Sequence, residues 1–156
     1  MISRGLMAVV LMLAAAGPVA ADRASEFGIE LGRARVAATA RATSVWDFAA
    51  EKRLVVTLDS VADLFHELAA QGHGLGTEAE GLLAAMESSR ERYTAIIEAM
   101  QAEVIRIDGD LEAAQDSAAW REREELAMRL LYRINWVRYE IATRYETETS
   151  VRLRLL

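Results

Sequence analysis

Apolar positions in this chain return at steps of three and four over long distances, the spacing that lines up one face of an α-helix. From about Ala24, the residues Phe27, Leu31, Ala34, Ala38, Ala42, Val45 and Ala49 hold that spacing. Leu54, Leu58, Val61, Ala62, Phe65 and Ala69 then form a second stripe in a different phase. The spacing predicts one long helix over 24–70 with a kink near Thr57. Asp59 or Ser60 is available as a cap if the helix breaks there.

Gln71-Gly-His-Gly-Leu-Gly76 interrupts the pattern. Each glycine inside a helix costs about 1 kcal/mol relative to alanine, so three in five positions predict a loop. Thr77-Glu-Ala-Glu80 has the form of a capping box and predicts the start of a second helix over 78–114. Leu83, Met86, Tyr93, Ile97, Met100, Val104, Ile107 and Leu111 keep a coiled-coil seam, interrupted once at Arg90. That seam runs through Asp108-Gly-Asp110, which is therefore expected to be a weak point inside the helix. Gln115-Asp116-Ser117 is the preferred turn, with Asp116 and Ser117 as good N-caps. A third helix is predicted over 118–148, with Ala127, Leu130, Ile134, Val137 and Ile141 on its aliphatic face. Tyr132, Trp136 and Tyr139 fall on roughly the opposite side. The predicted fold is all-α: an elongated antiparallel bundle or coiled-coil hairpin of three long helices, or four if the first breaks near Thr57.

The first residues carry a different pattern. Arg4 precedes an unbroken apolar run from Leu6 to Ala16, then Gly17 and Pro18, then Val19-Ala20-Ala21. A positive start, an apolar centre and small residues before a cut form a secretory signal. The expected cleavage follows Ala21, and residues 22–156 form a single helical domain. The run is short of the about 20 residues that a spanning helix needs, so no stable membrane insertion is expected after cleavage. The expected location is the periplasm or outside the cell.

Composition narrows the function. The chain of 156 residues has one proline and no cysteine, is 53% hydrophobic and carries a formal charge of −6. The lack of cysteine excludes disulfides, thiolate metal sites and thiol nucleophiles. An acidic chain without a basic cluster is a poor ligand for nucleic acid, where phosphate neutralisation supplies much of the affinity. Lys52 is the single lysine among 18 basic residues, and the rest are arginine, as a GC-rich coding sequence favours.

Candidate chemistry is sparse. His66 and His73 have no H-E-x-x-H spacing, and a metal site needs three or four converging ligands. Haem held between His66 and a methionine such as Met86, Met100 or Met128 is an alternative for an exported bundle. Seam methionines, however, are ordinary core filler. Asp108-Gly-Asp110-Leu-Glu112 lacks the glycine position of a calcium loop. No nucleophile motif is present, so no enzyme activity, metal or cofactor is expected. A helix apolar on two sides either sits between neighbours or offers one side to a partner. The expected contact residues are therefore Tyr132, Trp136 and Tyr139. To these are added Val151, Leu153 and Leu155 of the alternating apolar and basic tail 149–156, which suits strand addition to a partner. The expected function is an exported, non-catalytic helical protein of the bacterial envelope. It would bind a protein partner, or itself through its seams, as an assembly, scaffold or chaperone-like component. The alternative is a ligand-, metal- or haem-binding bundle.

Overall fold

A computed structural model describes residues 17–144, with side chains placed from 22 to 143. Among these residues 87% are helical and none lies in a strand. Five helices follow one another: α1 Gly17–Ala42, α2 Phe48–Ala70, α3 Gly76–Arg106, the short α4 Leu111–Gln115, and α5 Ala118–Arg144.

Helices adjacent in sequence are antiparallel, as short connections require. α1 packs on α2 and α3, and α5 packs on α3 and α2. Among the described residues α1 makes no packing contact with α5, so these two stand on opposite corners of a four-helix body. Cross-helix pairs fix the directions. Lys52 meets Glu122, Asp63 meets Arg133 and His66 meets Glu140, so α2 and α5 run side by side in the same direction.

The predicted stripes of α2 and α5 form the core. Leu54, Leu58, Val61, Ala62, Phe65 and Ala69 are buried, facing Leu130, Ile134, Val137 and Ile141. Phe27 and Phe65 stack at 6.1 Å near the end where α1 begins. The α1 stripe is buried at Phe27, Leu31, Ala34 and Ala38 and then fails.

The break in the first stretch falls at Thr43–Asp47, not at Thr57. Asp47 caps α2, its Oδ1 accepting from the backbone N–H groups of Ala49 (3.0 Å) and Ala50 (3.3 Å). This satisfies two of the donors that a helix start leaves open. Val45, expected on the buried face, is 90% exposed. Thr57 lies inside an uninterrupted helix, its hydroxyl donating to the Arg53 carbonyl at 3.0 Å. The first stretch is thus two helices, joined ten to fourteen positions before the expected kink at Thr57.

The second helix also ends early, at Arg106 rather than Ala114. Its last turn closes with Asp108 N–H on the Ile105 carbonyl (3.1 Å) and Gly109 N–H on the Val104 carbonyl (2.9 Å). Asp108 takes the left-handed conformation at φ 53°. This is a Schellman closure, with an aspartate where glycine usually stands. Gly109 follows because a Cβ there would lie 3.2 Å from Val104 Cγ1 and 3.3 Å from its carbonyl oxygen. The segment expected to be a weak point is the true end. The preferred turn at Gln115–Ser117 also forms, with Ser117 Oγ accepting from Trp120 N–H at 3.2 Å. Thr77 does not cap α3. Leu75 occupies the N-cap position, with no side-chain cap bond, and is buried in the core.

Candidate interaction surfaces

Tyr132, Trp136 and Tyr139 lie at i, i+4 and i+7 on α5, so a single helix face carries all three. The opposite face holds Leu130, Ile134, Val137 and Ile141 in the core, which turns the aromatic face outward. Tyr132 and Tyr139 are each 63% exposed and Trp136 is 37% exposed. Trp136 reaches the first predicted helical stretch through His66 of α2. The rings meet edge to face, with centroids 5.3 Å apart. Tyr132 lies beside Trp136, with ring centroids 6.2 Å apart.

His66 is held from both sides. Its Nδ1 lies 3.0 Å from Glu140 Oε1 and 3.3 Å from Trp136 Nε1. One nitrogen serves only one of these at a time. Nδ1 either donates to Glu140, whose side chain is buried, or accepts from the Trp136 indole N–H. Either bond holds the ring orientation, and with it the edge presented to Trp136. Among the described residues no group of three or more His, Asp or Glu side chains converges as a metal site would require. His66 faces an indole and one carboxylate, and His73 lies in the loop before α3.

Ion pairs flank this face and clamp α5 to its neighbours. Asp59, almost fully buried, takes both Arg129 and Arg133, the latter at 3.2 Å. Arg133 also reaches Asp63 at 2.8 Å, and Arg138 pairs with Glu87 of α3. Arg129 and Arg133 therefore fix the register of α5 on α2.

A second polar cluster sits where α1 hands over to α2. Arg92 binds Glu51 Oε1 through Nε (3.0 Å) and Nη2 (2.6 Å). Its Nη2 also donates to the Ser44 carbonyl at 3.3 Å. Trp46 meets Tyr93 edge-on at 5.0 Å. Burial, and next the nearby Glu51 charge, push the Tyr93 phenol well above its ordinary value of 10.0. Glu51 Oε2 and the Tyr93 hydroxyl are sealed from solvent, with no hydrogen-bond partner among the described residues. The arrangement pins the 43–47 connection onto α3.

Beyond Tyr93 the bundle changes. α3 continues past the point where α1 and α2 meet, accompanied among the described residues only by α4 and the start of α5. Ile97, Met100 and Val104, expected within a closed seam, are only half-buried, and Ile107 is exposed. Between the two helices lies an apolar groove of about 420 Å³, floored by Trp120. Trp120 is buried although it lies outside the main core, and its indole N–H donates to Glu124 at 2.8 Å. Sequence reasoning missed this residue. The available signal was its place seven positions before Ala127, one heptad back along the aliphatic face. The tail residues Val151, Leu153 and Leu155 lie outside the described residues, as does the segment before Gly17. No helix among the described residues is long and apolar enough to cross a membrane. Comparison with protein-family models, curated proteins and solved structures returned no match.

Proposed function

We propose that this is an exported, non-catalytic helical protein that works through protein contacts, as an assembly, scaffold or chaperone-like component of a bacterial envelope complex. The observation that carries this is the aromatic ladder on α5. Two tyrosines stand 63% exposed on either side of a tryptophan whose ring is already held by His66. Tyrosine and tryptophan are enriched at protein interfaces, where they bring large contact area at low entropic cost. A pre-set tryptophan loses little freedom on docking. Export rests on the pattern of Met1–Ala21.

The test places a photo-cross-linking residue at Tyr132 in the full chain and recovers adducts from the envelope fraction. A discrete protein adduct is expected, weakened at least tenfold by Trp136→Ala. The substitution is expected to cost only about 1–2 kcal/mol of stability, as for a partly exposed side chain. An adduct that persists in Trp136→Ala while stability falls makes the tryptophan part of the core and overturns the assignment.

A further inference from the structure

The groove at the far end of α3 is a separate surface that does not depend on the aromatic ladder. α1 ends at Ala42 and α2 begins at Phe48, level with Tyr93. α3 runs on to Arg106, about 20 Å at 1.5 Å per residue, and among the described residues neither α1 nor α2 extends over it. The exposed side of this two-helix arm is apolar: Ile96, Ala99, Met100, Val104 and Trp120 line the groove. An amphipathic helix laid into such a groove covers it by the same packing that closes the body below.

The charge around the groove selects the occupant. Residues 94–121 carry six acids, Glu98, Glu103, Asp108, Asp110, Glu112 and Asp116, against two arginines. Both arginines are already paired within the arm, Arg106 with Glu103 at 2.6 Å and Arg121 with Asp116 at 2.7 Å. The arm thus bears a net −4 of the whole chain's −6. A second copy would bring an equally acidic arm against it, and like charges across an interface are unfavourable. We infer that the arm groove receives a basic amphipathic helix of a partner protein. Its apolar face would lie on Met100, Val104 and Trp120, and its Lys or Arg rim near Glu103, the acid that lines the groove.

The probe is a synthetic 18-residue helix of leucine and lysine at amphipathic spacing, titrated calorimetrically into the full chain, beside a leucine–glutamate peptide of the same pattern. One-to-one binding of the lysine peptide alone is expected. Met100→Glu adds negative charge but blocks the groove, so groove binding should weaken at least tenfold whereas binding by charge alone should tighten. Glu103→Lys, exposed at the groove, should also weaken binding at least tenfold, and covers the case in which Met100→Glu perturbs folding. Trp136→Ala should leave binding unchanged, which separates this site from the ladder. No binding of the lysine peptide, equal binding of both peptides, or tighter binding by Met100→Glu overturns the inference. So does sedimentation of a dimer that Met100→Glu dissociates, which would make a second copy the occupant.

Discussion

The lower and upper halves of α3 carry the same heptad spacing and meet opposite fates. In the lower half Met86 and Tyr93 are fully buried, because α1, α2 and α5 surround them. In the upper half Met100 and Val104 are only half-covered, because among the described residues only the short α4 and the start of α5 run beside them. Spacing says which side of a helix is apolar. It does not say how many neighbours will be there to use it. The body is therefore stabilised by a closed core, and the arm by one helix pair and one tryptophan.

The contrast is sharpest in matched truncations. Phe65→Ala empties a fully enclosed site against Phe27 and should cost about 3–5 kcal/mol in urea denaturation. Trp120→Ala should cost about 1–2 kcal/mol, because the arm can open while the body stays folded. Native-state hydrogen exchange should then quicken in 94–120 and stay slow around Leu58 and Ile134. Equal costs, with exchange rising everywhere, would mean that arm and body unfold as one.

Tyr93 stands at the junction, and its titration reports on the body's last closed layer. Burial, then the Glu51 charge, raise its phenol, so the folded chain holds that proton more tightly than the unfolded chain. This contribution is fully present below the unfolded value of about 10 and is lost as pH rises above it. Stability measured near pH 11 should therefore fall relative to pH 7 by more in the native chain than in Tyr93→Phe. At pH 7 the same variant should match or exceed the native chain by up to about 1 kcal/mol, since it removes a buried hydroxyl without a partner.

The smallest effects are expected at the two helix ends that close alike. α2 ends with Gly72 at φ 83°, Gly72 N–H on the Ala69 carbonyl and His73 N–H on the Leu68 carbonyl, each at 3.1 Å. α3 ends with the same pair of bonds around Asp108. Left-handed backbone is free for glycine and costly for other residues. Asp108→Gly should therefore stabilise the arm by about 0.5 kcal/mol, and Gly72→Ala should destabilise the body by about 1 kcal/mol, both read from thermal unfolding.

Those two ends also show why one boundary was legible and the other was not. Around Gly72 the glycines coincide with the end of the apolar stripe, so both signals agree. Around Asp108 the stripe continues from Ile107 to Leu111 across the break, and the glycine sits one place past the left-handed residue. The same conflict hid Asp47, where Ala42, Val45 and Ala49 keep helical spacing over a connection that is not helical. Alanine carries too little apolar weight to mark a buried face, whereas the Asp47 cap does mark a start. The candidate contact residues were legible on α5 because Tyr132, Trp136 and Tyr139 oppose a strongly aliphatic face. The part played by His66 was not, because it lies seventy positions from Trp136 and only the parallel run of α2 beside α5 joins them.

The sequence by itself determined the helical class, the buried faces of α2 and α5 and the placing of the aromatic residues on the opposite side of α5. These follow from local spacing and from the cost of exposing aliphatic side chains. Only the tertiary structure decided where α1 and α3 stop, which helices lie side by side, and that α3 outruns its neighbours. Such outcomes depend on contacts between distant segments, which no local period encodes.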